Sequence, residues 1–339
     1  MSVSEPRSNY DGGLMKPVTR LRCAVATILL TGVLFPPKTL AQLPARFYWK
    51  SLSDSNGVPV IFQSISGNTN PFDPAHIVTP DANFDATLAL AGYARTFSLH
   101  KRAVMVAIIE PMGHVSSEVT VAGRTAKQSA SGFGDPMVEF DINVIGPRAQ
   151  KTIPDALRYE PKFSVDLLGD LGIPIGKYDS SQPLNLGQNR WYGRVGAPIV
   201  WQLGPWVPGR RTTLEFLPAV WLFGTNSNFV GQTLTTDPMF QLDGHLTRDF
   251  AESFWASFDT AWYTGGQASI NGVHGKSLNN FGLGFTAGYK INDNLNVTVG
   301  YKSTINDSAP DALRLNQFMF SVVYGWHKII EGSKRLKHD

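Results

Sequence analysis

Strict alternation of apolar and polar residues, sustained over segments of roughly ten to fourteen residues, constrains this chain more than any other feature. Phe240, Leu242, Gly244 and Leu246 alternate with Gln241, Asp243, His245 and Thr247. Phe281, Leu283, Phe285, Ala287 and Tyr289 alternate with Asn280, Gly282, Gly284, Thr286 and Gly288. Leu295, Val297, Val299 and Tyr301 alternate with Asn296, Thr298, Gly300 and Lys302. Successive side chains of a strand point to opposite faces, so each segment presents one apolar and one polar face. The pattern predicts strands over 84–98, 101–111, 135–146, 160–171, 190–203, 212–224, 236–249, 253–264, 278–291, 294–305 and 314–326. Strands of soluble domains are commonly about five or six residues long. A tilted strand of about ten residues crosses the hydrocarbon of a bilayer.

The connections alternate in length. His100-Lys101, Gly204–Arg211, Phe250–Glu252 and Asn292–Asp293 are short, with Pro147–Tyr159 a longer member of the same set. Gly113–Gly134, Gly172–Asn189, Thr225–Thr235, Gly265–Ser277 and Asn306–Leu313 are long. Outer-membrane barrels show this asymmetry, with short periplasmic turns and longer outer loops. Single-chain bacterial barrels have an even number of strands. With a periplasmic N-terminus, one upward strand must precede 84–98, and Val58–Ser66 is the candidate. The expected fold is therefore all-β, a transmembrane antiparallel β-barrel of about 12 strands.

A soluble sandwich can show the same alternation, with its apolar face turned to a core. Three features favour the barrel. Strand length is one. Aromatic residues near strand ends are another: Trp191, Trp201, Trp262, Tyr289, Tyr301 and Trp326 suit interfacial girdles. The third is an export signal. Lys16–Arg22 form a basic region, Ala24–Phe35 an apolar one, and Thr39-Leu40-Ala41 a cleavage site. Residues 1–41 are expected to be a signal peptide, with Met15 an alternative start. Residues 42–326 would be the barrel and 327–339 a short, basic, solvated periplasmic tail. The single cysteine, Cys23, falls in the signal region, so no thiolate or disulfide chemistry is expected after cleavage. A net charge of +3 without a basic stripe gives no reason to expect nucleic acid as a partner.

Closure of a barrel assigns one parity of every strand to the interior. The polar parity places Glu139, Asp141, Asp166, Arg194, Gln241, Asp243, His245, Asp259 and Lys302 there, as candidate pore-lining or binding residues. Asn143, Lys162, Asp170, Tyr192, Asn280 and Lys290 share that parity. Both charge signs occur, so cross-lumen pairing is the plain structural reading, and tuning of a polar passage the functional one. His245 shares a face with Asp243 and Thr247, which raises a His–carboxylate relay. No Gly-x-Ser-x-Gly elbow and no His-Glu-x-x-His pair accompanies it. No catalytic residue, no metal site and no cofactor is expected.

Several short motifs occur in a fixed order. They are Gly132-Phe133-Gly134-Asp135-Pro136, then Asn185-Leu186-Gly187-Gln188-Asn189-Arg190-Trp191, then Asp237-Pro238 with Gln241 and Gly244-His245-Leu246, then Trp255 with Asp259, and Tyr263 with Gly265-Gly266. In this order they resemble the meta-pathway of phenol degradation family of outer-membrane transport proteins, over about 84–326. The resemblance implies uptake of a hydrophobic or aromatic compound and carries no catalytic residue. It is weakest over 42–80. The expected function is an outer-membrane channel for small hydrophobic or aromatic solutes, with outer-membrane lipids and lipopolysaccharide as neighbours. A plugged structural or surface-interaction barrel and an outer-membrane lipid-modifying enzyme are the alternatives. The sequence leaves the oligomeric state open.

The signal region generates one prediction. N-terminal sequencing of the membrane-inserted protein should begin at Gln42; a chain still starting at Met1 or Met15 would remove the export argument.

Overall fold

The computed structural model describes residues 44–121, 124–306, 308–309 and 311–328. The signal peptide and all but the first two residues of the expected tail lie outside the described residues. The strands are β1 (Asn56–Gly67), β2 (Ala82–Leu99), β3 (Arg102–Val121), β4 (Arg124–Phe133), β5 (Met137–Ile145) and β6 (Phe163–Gly172). They continue with β7 (Tyr192–Gly196), β8 (Ile199–Gln202), β9 (Thr212–Phe223), β10 (Asn226–Phe229), β11 (Gln232–Thr236) and β12 (Met239–Asp249). The last are β13 (Phe254–Gly265), β14 (Ala268–Ile270), β15 (Val273–His274), β16 (Leu278–Lys290), β17 (Leu295–Thr304) and β18 (Leu315–Trp326).

Twelve antiparallel wall strands close into a barrel. In wall order they are β1, β2, β3, β5 with β4 above it, β6, β7 continued by β8, β9, β12, β13, β16, β17 and β18. Closure is the pairing of β1 with β18, from Asn56↔Trp326 to Gly67↔Leu315. The expected first strand at 58–66 is β1, and the even count follows. The wall seals because each break in a strand is bridged. Between β7 and β8, Ala197 N donates to Pro218 O at 2.9 Å, and Asp166 N to Pro198 O at 2.8 Å.

Parity matches the sequence pattern. Phe285 is 56% exposed, whereas its neighbour Thr286 is fully buried. Phe62, Phe140, Leu246 and Phe258 are likewise exposed on the outer face. An apolar outer face needs lipid, because water around so many large apolar side chains would be unfavourable.

Three elements differ from expectation. The stretch 113–134, expected as a loop, is mostly hairpin: β3 runs 20 residues and pairs with β4 from Met112↔Phe133 to Val121↔Arg124. Parts of two other long loops form a small separate sheet, in the order β10-β11-β14-β15. The connection 147–159 contains a short helix, α1 (Ile153–Arg158), started by a capping box between Thr152 and Asp155.

The parity generates a stability prediction. Phe285→Arg should cost about 2–4 kcal/mol of barrel stability, because Phe285 faces lipid near mid-strand. Thr298→Arg, on the inner parity, should cost much less. Equal penalties in reversible unfolding of the refolded protein would contradict the facing assigned to these strands.

Candidate functional site

Charged side chains turned inward from a lipid-bound wall must be paired, since an isolated ion in low dielectric is unfavourable by several kcal/mol. All nine residues expected inside are buried: Glu139, Asp141, Asp166, Arg194, Gln241, Asp243, His245, Asp259 and Lys302. Asp170, Asn143, Tyr192 and Asn280 are buried with them. Lys162 and Lys290 are exposed instead. Lys162 sits just before β6 with φ at 49°, and Lys290 pairs with Asp293 at 2.9 Å at the end of β16. Both lie where strands leave the wall, and parity no longer sets their direction.

The buried groups form separate clusters. Arg194 Nε donates to Asp170 Oδ2 at 2.5 Å, and Glu139 is the register partner of Asp170. Gln241 Oε1 accepts from Trp221 Nε1 at 2.6 Å, and its Nε2 donates to Asp243 Oδ2 at 2.6 Å. His245 Nδ1 lies 2.7 Å from Asp259 Oδ1. Ser257 and Thr286 donate to the same carboxylate at 2.7 and 2.5 Å, and Lys302 Nζ is 3.9 Å from it. The carboxylate partner of His245 is therefore Asp259, across the β12–β13 ladder, and not Asp243 on its own strand.

A fourth cluster is completed by a segment to which the sequence pattern assigns no role. Residues 44–55 enter the lumen from the end where the short turns lie. Lys50 Nζ bonds Asp141 Oδ1 at 3.0 Å and pairs with Asp166. Arg46 Nη1 pairs with Asp249 Oδ1 at 2.6 Å, and its backbone N donates to Glu215 Oε2 at 2.8 Å. The Arg46 guanidinium lies 4.2 Å from the Trp49 ring centroid and 4.3 Å from that of Trp255. Trp49 Nε1 donates to Glu215 Oε1 at 2.8 Å, and Tyr48 packs on Leu168, Leu217 and Ala219. Asp141 and Asp166 thus hold a plug. His327, expected in a solvated tail, is buried, with Nε2 2.8 Å from the Ser53 carbonyl of the same segment.

A second inward element is loop 1, the connection between β1 and β2. Asn70 Nδ2 donates to the Asn185 carbonyl at 2.7 Å, and Gln188 Nε2 to the Phe72 carbonyl at 3.0 Å. Arg190 Nη2 pairs with Asp73 Oδ1 at 3.3 Å, while its Nη1 donates to Thr236 Oγ1 at 2.7 Å. Asp135 accepts from Gly176 N at 2.9 Å and Gln188 N at 2.8 Å. The motif at 185–191 therefore fastens this loop, and Asp135 of the motif at 132–136 holds Gln188 in place.

Between plug and loop 1 lies an inner chamber of about 210 Å³. Ile61, Leu88, Leu90, Ile109 and Met137 give it an apolar wall, and Arg194, Trp221, Gln241 and Tyr263 face it from the other strands. The apolar inner wall was missed by a reading that assigned every inner face as polar. Its signal is present in the runs Leu88-Ala89-Leu90-Ala91 and Ala103-Val104-Met105-Val106-Ala107-Ile108-Ile109, apolar at both parities. A strand with two apolar faces needs apolar surroundings on both sides.

Residues 65–322 match the family described as "Putative MetA-pathway of phenol degradation", and the chain belongs to that family. Among solved structures, an outer membrane channel from Pseudomonas putida F1 is similar at a TM-score of 0.66 and 15% identity, over 84% of this chain and 100% of that one. The transport unit of the autotransporter AIDA-I from Escherichia coli follows at 0.44 and 10%, over 89% and 97%. No curated protein is significantly similar to this chain. The barrel is an outer-membrane barrel, as the sequence pattern predicts.

Loop 1 carries a titratable anchor. The His76 ring is buried, edge-on to Tyr263 at 5.2 Å between centroids, with Asp73 nearby. Burial holds its pKa down to about 4. In an undocked loop the imidazole takes up a proton near its ordinary value of about 6.5. Docking should therefore be unaffected above about pH 6.5 and weaken as pH falls toward 4, by about 3 kcal/mol at most. Hydrogen exchange of loop 1 should rise over that window in the wild type and much less in His76→Phe. Exchange independent of pH would contradict the anchoring.

Proposed function

We propose that the protein carries small, uncharged hydrophobic or aromatic solutes across the outer membrane by way of the inner chamber. The observation that supports this most is the apolar wall inside a lumen otherwise lined by charged and polar groups. An apolar body gains roughly 25 cal/mol for each Å² of surface it buries there. Cavities of about 150 Å³ lined by aliphatic and aromatic side chains accept a benzene ring, so about 210 Å³ suits a substituted one. The family's description points to the same compound class. Ions are poorly served, because the plug fills the charged end and takes up Asp141, Asp166, Glu215 and Asp249.

The protein works without catalysis in this reading. Ser257 spends its proton on Asp259 rather than on the His245 ring, so that cluster serves as a wall brace. Passage down a concentration gradient needs neither cofactor nor energy-coupling group. A plugged structural barrel is the second reading, favoured by the plug's ion pairs.

Uptake of a labelled monoaromatic solute by cells carrying the protein in their outer membrane separates the two. Leu90→Asp should cut uptake roughly tenfold, as about 1.4 kcal/mol of lost binding would. Ile61→Trp, which fills the chamber without adding charge, should do the same. Wild-type cells that take up no more solute than cells lacking the protein would support the structural barrel. Uptake that survives both substitutions would move the path elsewhere.

A further inference from the structure

Loop 1 separates the inner chamber from a second cavity. This outer chamber, of about 170 Å³, lies on the loop-end side of loop 1, beneath the segment 178–188 and strands β10 and β11. Asn70, Asp73 and Ile77 of loop 1 face the outer chamber, while Phe72, Pro74 and His76 face the inner one. One loop is therefore a partition shared by both.

The outer chamber has the chemistry of a site for a ring with a single polar group. Phe84, Leu184, Phe229 and Leu234 supply apolar surface from four different segments. The amides of Asn226 and Asn185 are already bonded. Asn226 Nδ2 donates to Tyr178 Oη at 2.9 Å and to the Gln188 carbonyl at 3.0 Å, and Asn185 Nδ2 to the carbonyls of Asp179 and Gln182. No buried polar atom of this lining lacks a partner among the described residues. A satisfied polar rim does not require an ion or a chain of waters, and it offers no charge to neutralise a charged ligand beyond the Asp73–Arg190 pair.

The fastenings of the partition are also walls of this chamber. Asn70, Asp73, Asn185 and Gln188 line it, and the side chains of Asn70, Asp73 and Gln188 with the Asn185 carbonyl tie loop 1 down. An occupant touches the groups whose bonds must break for loop 1 to move. From this we infer that the outer chamber is a capture site for a neutral monocyclic aromatic compound, and that loop 1, latched by Asp73 and Arg190, is the partition such a compound passes to reach the inner chamber. This inference rests on the reading of the inner chamber as a solute path.

The test uses 4-bromophenol as probe and the complete folded protein. In soaked crystals, bromine should appear in both chambers. Ser117→Phe, which fills the outer chamber, should remove the outer bromine only, and Leu88→Trp the inner one only. Bromine in the inner chamber alone overturns the capture site and leaves the solute path standing. Bromine in neither chamber overturns both. In solution, quenching of Trp221, which lines the inner chamber, should approach a limiting rate as 4-bromophenol increases, with Trp221→Phe as the control. Asp73→Asn, with Arg190→Gln as a second variant, should raise that limiting rate about tenfold or more, as loss of one charge-assisted hydrogen bond would. A rate linear in concentration, or the same limiting rate in folded variants, would overturn the latch.

Discussion

Pairing of β1 with β18 is the contact on which the molecule depends. In hydrocarbon, an unpaired backbone N–H or C=O has no water to turn to, so an open sheet edge is excluded. Closing the edge fixes register, and register fixes which side chain of every neighbouring pair meets lipid. Gln63 beside Phe62 and Thr286 beside Phe285 follow from closure as much as from local preference. A slip of one residue would exchange the two faces along the strand.

Closure also creates a problem that the rest of the chain solves. It turns carboxylates from β5, β6, β9 and β12 into a confined lumen. Wall strands alone cannot neutralise all of them, because neighbouring inner positions are themselves acidic: Glu139 and Asp170 face each other, and Asp141 and Asp166 lie close enough to share Lys50. Cations come from outside the wall, from Arg46 and Lys50 on a segment free of strand geometry. The plug is best understood as the missing half of an ion-pair network. That also explains its position, since the β1–β3 side of the lumen carries few charges and holds none of these anchors.

The wall was legible in the sequence because lipid outside and ions inside impose opposite demands on adjacent residues. The strands expected at 212–224, 253–264 and 278–291 match the observed ones to within one residue at each end. Legibility stops where those demands stop. The β3–β4 arm carries Ser116, Glu118, Thr120, Lys127 and Ser129 on one face, and on the other its small apolar residues Val115, Val119, Ala126 and Ala130 are interrupted by Ser117 and Gln128, so its alternation is weak and it looks like a loop. The plug has no period at all; its placement depends on partners about 90 to 200 residues away in sequence, a separation no local pattern encodes. Asn185, Gln188 and Arg190 stood out as a motif, but nothing local indicated that they bind Asn70, Phe72 and Asp73. Parity indicated nine positions that are buried, and it left their partners open, because it gives a direction and not a partner.

The same limits shape what the lumen can offer a solute. A uniformly charged interior, cross-paired and plugged, would leave no reason for an apolar compound to enter. The chain instead gives the inner faces of β1, β2 and β3 to Ile61, Leu88, Leu90 and Ile109, and gathers its charges on the remaining strands. Two interruptions of the ladder among these strands border the chamber. The pairing of β1 with β2 skips Val58 and Pro59, between Gly57↔Ala94 and Val60↔Ala91, and Pro59 and Gly92 line the chamber there. The pairing of β3 with β5 stops at Ile109↔Met137, and that with β4 starts at Met112↔Phe133. Pro111 has no N–H to give, and a single bond, Gly134 N to Pro111 O at 2.7 Å, holds the gap. Pro111 and Met137 line the inner chamber at this point. The apolar wall and these interruptions of the ladder therefore coincide, and at each of them a proline that faces the chamber, Pro59 or Pro111, leaves the ladder without an N–H.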